Sequence, residues 1–264
     1  MTALKTFPWK VCFILWAASI FGFIALLPYV LTLQADILEG TVLPIPLPLL
    51  LVIQTLQNSL MFAIAIFIGL LLAKRIGLGL PILEAKLAGE SVATRVRAIL
   101  LPSIGLGVVI AALVIVLELF IFAPGLVTQL GETNALTLQN ATPNAWQGLL
   151  ASFYGSINEE ILLRLFLLTL LAWLGKFASH TPEGRPTLAV LWTANILAAV
   201  IFGLGHLPVT AQLVPLTSLV IIRAIVLNGL LGIAFGYLYW TRGLESAMLA
   251  HFSADIVLHV LTAI

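Results

Sequence analysis

Apolar residues run along this chain in long blocks broken by short polar connections. The blocks fall at residues 11–33, 49–73, 102–122, 146–176, 188–207, 213–240 and 244–264. Each reaches or approaches the roughly 20 residues that a helix needs to cross a hydrocarbon core. The first block, preceded by Lys5 and Lys10, is too long for a signal-peptide core and lacks a clear small-residue cleavage site. It therefore reads as a retained spanning helix. Between the second and third blocks the character changes: over residues 80–100, Glu84, Lys86, Glu90, Arg95 and Arg97 interleave with Leu, Ile and Val. That mixture predicts an amphipathic helix lying on the membrane surface. The pattern as a whole predicts an all-α polytopic transmembrane helical bundle of about seven spans plus that surface helix. It reads as a single membrane domain over 1–264, with the N-terminal spans and surface helix in 1–144 and most intramembrane polar groups in 145–264.

Composition agrees and narrows the classes. Hydrophobic residues make up 61% of the 264 and charged residues 9%, with a mean hydropathy of +1.16; soluble domains carry about 25% charged residues. Cys12 is the single cysteine, so no intramolecular disulfide forms, and no CxxC or Cys/His zinc pattern is present. No basic tract points to nucleic acid. The net charge of +1 matters less than where the charges lie. Threading the spans puts Lys5, Lys10, Lys74, Arg75, Lys86, Arg95, Arg97, Lys176, Arg185 and Arg242 on one side, and no basic residue in the loops of the other. The positive-inside rule then makes the N-terminus cytoplasmic and the C-terminus non-cytoplasmic, with the surface helix beside anionic membrane lipid.

The fourth block breaks the apolar rule at its middle, where Asn158-Glu159-Glu160 precedes Arg164. Each charged side chain at the centre of a spanning helix costs roughly 2.5–3.5 kcal/mol on insertion scales. On a helix Glu160 and Arg164 stand four apart and can pair, whereas Glu159 is turned by about 100° from Glu160 and faces another neighbour. Glu160 then has a structural task and Glu159 is left to act. The plainer alternative is a buried ion network that only fixes helix packing.

Other polar residues share this region of the chain. Phe202 and His206 are four apart, as are His251 and Asp255, with His259 one turn further on the same face. His206 and His259 also read as interfacial anchors. An acid one turn from His251 orients or charges its imidazole. Asn228 lies in a Gly-rich span, where Gly229, Gly232 and Gly236 permit close helix approach, and it also reads as a plain helix–helix hydrogen bond. Arg223 has Glu118, Asp255 or a lipid phosphate as possible partners. An unpaired carboxylate, two histidines, an Asn and an Asp are the inventory for activating water and stabilising an oxyanion. Alternative peptidase signatures are missing: there is no HExxH helix, no Gly-x-Gly-Asp motif and no Gly-x-Ser-x-Gly turn.

Four motifs in order, Glu159-Glu160-x-x-x-Arg164, Phe202-x-x-x-His206, Asn228 and His251-x-x-x-Asp255, resemble those of the CAAX-processing and bacteriocin-processing (CPBP, or Abi) intramembrane endopeptidases, which include the CAAX prenyl endopeptidases. The resemblance covers residues 145–258. It implies a glutamate-dependent hydrolase in which Glu159 with His206 activates water. His251, with Asn228 or Asp255, stabilises the oxyanion, while Glu160, Arg164 and Phe202 support the site. Position 255 is Asp where the best-known members carry Asn. A carboxylate donates no hydrogen bond unless protonated, so Asp255 is expected to orient His251, or to join Glu159, His206 and His251 around a divalent metal such as zinc. A metal-free site is the expectation. The implied partners are a peptide or lipidated-peptide substrate and membrane lipid, with no nucleic acid. Two rival readings use the same residues: a non-catalytic membrane partner such as a bacteriocin-immunity protein, and a proton-coupled transporter.

Overall fold

The computed structural model describes residues 7–40, 44–134 and 143–264; Lys5 lies outside them. Helices α1 (Trp9–Leu33), α2 (Ala35–Gly40), α3 (Leu47–Ile76) and α4 (Pro81–Leu87) come first. Then α5 (Ala93–Leu117) passes through a π-helical turn, Glu118–Phe122, into α6 (Ala123–Leu130). A continuous helical rod over 145–175 follows, beginning as α7 (Ala145–Phe153) and ending as α8 (Thr169–Gly175). The chain closes with α9 (Leu188–Gly205), α10 (Leu207–Leu213), α11 (Ser218–Arg242) and α12 (Leu244–Asp255). The all-α polytopic expectation holds. Among the described residues, the one extended pairing outside the helices is a single bridge between His180 and Pro186.

Six helices among the described residues are long and apolar enough to cross a membrane, starting at Trp9, Leu47, Ala93, Leu188, Ser218 and Leu244. The rod over 145–175 adds the helical stretch that carries Glu159, Glu160 and Arg164. It sits at the centre, touching α1, α3, α9 and α12, with Ile161, Leu165 and Leu168 fully buried. Large apolar side chains instead cover the outside: Leu101 is 80% exposed and Phe120 76%. A soluble protein would bury such side chains; here they face hydrocarbon, which is as apolar as they are.

Helix starts follow local chemistry. Asn144 and Gln147 form a reciprocal capping box at α7, while Thr187 and Thr217 cap α9 and α11 through their hydroxyls, satisfying N–H groups that have no intrahelical partner. Lys74 and Arg75 occupy the last turn of α3, where a cation complements the helix dipole. In the Gly-rich α11, Gly232 lies against Ala199 and Gly236 against Asn195 of α9. These are the close approaches expected of small residues between spanning helices.

The amphipathic element is shorter than expected. Only α4 stands apart, and from Ala93 the chain already belongs to the next long helix, Ala93–Leu130. Pro102, expected to open that span, lies inside α5. The 38 residues of that helix extend about 57 Å at 1.5 Å per residue, nearly twice a hydrocarbon core of about 30 Å. The segment bearing Arg95 and Arg97 is thus the part of a spanning helix that overshoots the core. A proline inside such a helix is tolerated because neighbouring groups satisfy the freed carbonyl.

The two ends of the bundle differ in their contacts. At one end, the Leu244 N–H donates to the Gly79 carbonyl at 3.1 Å, and Glu245 Oε1 accepts from the Ile82 and Leu83 N–H groups at 3.0 and 2.8 Å. Arg95 there donates to the Pro81 carbonyl and Arg242 to the Ala98 carbonyl, and Arg185 lies beside Gly77. At the other end Gln34 meets Gln212, Gln129 meets Thr217 and Gln147 meets Thr32, all uncharged pairs.

Candidate active site

The central rod departs from α-geometry where its charges lie. Tyr154–Glu159 and Ile161–Leu168 are π-helical, on either side of Glu160. π-turns are rare and concentrate at functional sites. Glu160 is fully buried and Arg164 nearly so, with Nη1 of Arg164 3.0 Å from Glu160 Oε1. The guanidinium also donates through Nη2 to the Gly232 carbonyl at 3.0 Å. It lies over the Phe202 and Phe235 rings at 5.3 and 5.5 Å. A buried charge is tolerated when it is both paired and hydrogen-bonded, and Arg164 is both.

Glu160 does more than pair with Arg164. Its Oε1 stands 2.8 Å from Nδ1 of His251 on α12. Since an ionised carboxylate only accepts, the proton of this bond belongs to Nδ1. The Phe235 ring stacks on the imidazole at 4.6 Å, so both the nitrogen's partner and the ring plane are fixed. Nε2 is thereby turned toward two further carboxylates, 3.7 Å from Glu159 Oε2 and 3.6 Å from Asp255 Oδ1. Glu159 keeps 24% of its side chain exposed, against none for Glu160. The adjacent acids differ in enclosure, one buried and one accessible, but they do not face different neighbours as α-helical spacing predicts: on this π-helical stretch both reach His251, Glu160 at Nδ1 and Glu159 at Nε2.

His206 and Asn228 stand apart from this cluster. His206 ends α9 half-buried, its Nδ1 2.9 Å from the Phe202 carbonyl of its own helix, and Asn228 donates to the Ala224 carbonyl, again on its own helix. The Phe202 ring links the two imidazoles, lying 4.8 Å from His206 and 6.2 Å from His251. Glu159, His251 and Asp255 are therefore brought together, with Glu160, Arg164 and Phe202 around them, while His206 meets the Phe202 ring and bonds within its own helix. Among the described residues, no group of three or more His, Cys, Asp or Glu side chains is disposed to hold a metal ion. The set Glu159, His206, His251 and Asp255 does not close into one.

Two residues of the site, Gly155 and Phe235, escape sequence reasoning, and a third, Asn158, stands in the polar stretch there without a task. Gly155 lies one turn before Glu159, and a methyl group there would strike Asp255 Oδ2 and come within 3.0 Å of His251 Nε2. Phe235 supplies the stacking ring. Asn158, fully buried, donates to the Ser19 carbonyl at 2.9 Å and ties the rod to α1. A glycine one turn from an intramembrane acid was the available signal for the first; the others depend on tertiary contacts. Of the residues left without a fixed partner, Arg223 pairs with Glu118 at 2.7 Å. His259 packs edge-on against Tyr29 at 5.9 Å.

Fold and site together define a multi-pass helical membrane protein with a carboxylate–imidazole cluster enclosed between its spans. Residues 141–257 match the family model of the Rce1-like type II CAAX prenyl endopeptidases, which are intramembrane peptidases, and the match bears out the resemblance read from the four motifs. No curated protein and no solved structure matches the chain.

Proposed function

We propose that the chain is a glutamate-dependent intramembrane endopeptidase acting on a CAAX-like, lipidated or signal-like peptide. The observation that carries this reading is the position of His251: Nδ1 is held by Glu160, and Nε2 faces the accessible acid Glu159. Glu159 takes a proton from water, and the resulting hydroxide attacks the scissile carbonyl carbon. As the tetrahedral intermediate forms, His251, carrying a proton on each ring nitrogen among the three carboxylates, keeps Nδ1–H on Glu160 and donates Nε2–H to the developing oxyanion, with Asp255 one turn away steering the ring. When the carbon–nitrogen bond breaks, Glu159 returns its proton to the leaving amine. His206, edge-on to Phe202 at 4.8 Å, contributes the second imidazole to the water, and Asn228 a further amide donor. General base catalysis of this kind contributes about 10²–10⁴-fold, and an oxyanion donor a further 10²–10³-fold or so.

Orientation belongs to the same reading. The end that gathers Lys10, Lys74, Arg95, Arg185 and Arg242 is the cytoplasmic one by the positive-inside rule.

The test is hydrolysis of a farnesylated peptide ending in Cys-aliphatic-aliphatic-X by the purified chain, with products identified by mass. The parent should release the terminal tripeptide and Glu159→Gln should not. Equal cleavage by Glu159→Gln and the parent would remove Glu159 from the chemistry, and no cleavage by the parent would favour the non-catalytic partner reading. Chelator is included in a parallel arm, where unchanged turnover is expected.

A further inference from the structure

Helix α12 carries His251 and Asp255, and its start is tied to the bundle by polar contacts that the peptidase reading leaves unused. Glu245, in its first turn, crosses to α4, where Oε1 accepts from the Ile82 and Leu83 N–H groups at 3.0 and 2.8 Å. N–H groups in the first turn of a helix have no partner within it, so the carboxylate of one helix caps another. Beside it, the Leu244 N–H donates to the Gly79 carbonyl at 3.1 Å. The Ser246 and Ser103 hydroxyls, both fully buried, meet at 2.7 Å between α12 and α5. Glu245 Oε2 is buried and accepts no hydrogen bond among the described residues, so the carboxylate is kept at a cost.

The rest of α12 has little to stop it sliding along its own axis. Around His251 and Asp255 its buried face is Ser246, Ala247, Ala250 and Ala254, and Gly107 of α5 lies against the Ala250 carbonyl. Small residues let helices approach closely, but they present low ridges to a neighbour's grooves. The helix is unbroken from Leu244 to Asp255, and π-geometry begins only at Ile256. A displacement at Glu245 is therefore carried by a rigid rod to His251, about 9 Å further on at 1.5 Å per residue. His251 depends on its placement for the 2.8 Å contact with Glu160 and for the 3.7 and 3.6 Å approaches of Nε2 to Glu159 and Asp255. A misplacement of about 1 Å costs on the order of a hundredfold in rate.

We propose that Glu245 is a positioning residue: through α4 it fixes how far α12 reaches along its axis, and so holds the His251 imidazole between Glu160 and Glu159. Reach matters here and charge does not, because one oxygen accepting two N–H groups makes the clasp. The consequence for rate rests on the peptidase reading; the placement of the ring does not.

The experiment compares Glu245→Gln, Glu245→Asp and Glu245→Met in the full chain. It reads kcat and KM for a farnesylated peptide, and the ¹⁵N shifts of the His251 ring, assigned by their loss in His251→Gln. Glu245→Gln keeps an acceptor at the same reach and should keep the parental kcat and ring shifts. Glu245→Asp keeps the charge but falls one methylene short, and Glu245→Met has no such acceptor. Both should lose about tenfold to a hundredfold in kcat at unchanged KM, and both should move the ring shifts. Glu245→Asp stands in for Glu245→Met should that variant fail to fold. Parental ring shifts in Glu245→Asp and Glu245→Met would overturn the proposal, whether or not the parent cleaves. So would parental kcat in Glu245→Asp beside a loss in Glu245→Gln, which would assign the effect to charge. Ring shifts that move in Glu245→Asp and Glu245→Met alone, with a parent that cleaves nothing, would support the positioning and remove the peptidase reading.

Discussion

Among the described residues, two arginine–glutamate pairs lie within the helices of this bundle, and both adjoin a π-helical turn. Glu118 opens the π-turn between α5 and α6 and meets Arg223 at 2.7 Å. Glu160 sits between two π-helical stretches and meets Arg164 at 3.0 Å. In length the bonds are alike. They differ in enclosure and in what else they hold. Glu118 and Arg223 keep 21% and 24% of their side chains exposed, while Glu160 and Arg164 keep 0% and 2%. The outer pair ends with itself. The inner pair continues through Glu160 to His251 and from there to Glu159 and Asp255. A charge that reaches its surroundings can be satisfied by them, but an enclosed one must find every partner inside the protein, and here those partners form the candidate active site.

The comparison is sharpest for Arg164. Arg164→Met leaves Glu160 as a buried carboxylate without its cation, and breaking one side of a buried pair costs about 3–5 kcal/mol. The thermal midpoint in detergent should fall far below that of the parent. Adding Glu160→Gln to Arg164→Met should restore part of the loss, because no buried charge then remains. A midpoint unchanged in the single variant would mean that the pair contributes nothing to holding the rod.

A smaller effect is expected of Gly155→Ala. Its methyl group meets Asp255 and His251 Nε2, and overpacking of this kind costs about 1–3 kcal/mol. Turnover of a cleavable peptide should drop more than the melting temperature does, with kcat rather than KM carrying the change, since the methyl displaces the imidazole and not the peptide. Gly155→Ser should behave likewise. An alanine variant with parental kcat would separate Gly155 from the site.

The smallest effect belongs to the outer pair. Arg223→Gln or Glu118→Gln should shift stability by about 1 kcal/mol or less, the range of polar contacts between membrane helices, and should leave peptide turnover within about twofold of the parent. Loss of stability on the scale of Arg164→Met would erase the distinction between the two pairs.

How much of this was legible beforehand depended on whether the signal was local. Long apolar blocks announced the bundle because hydropathy is carried by each residue. The Glu160–Arg164 pair was legible because four residues is one turn. The start of the third span was not: Pro102 reads as a boundary in water, yet the helix begins at Ala93, since lipid and neighbouring helices tolerate an internal proline. Glu160 was expected to serve Arg164 alone, and its contact with His251, ninety-one residues away, has no local signature. The same holds for the π-turns, which re-aim Glu159 and Glu160 without altering the hydrophobic pattern. His206 shows the reverse, for its spacing from Phe202 was legible but the bond of its Nδ1 with the Phe202 carbonyl of its own helix was not.

The central claim is that the accessible acid of the enclosed cluster does chemistry while a carboxylate of the outer pair does not. It is tested most directly by peptide turnover of Glu159→Gln beside Glu118→Gln, measured on folded protein with matched melting temperatures. The account predicts at least about a hundredfold loss for Glu159→Gln and a rate within about twofold of the parent for Glu118→Gln. Equal turnover in the two variants would contradict it.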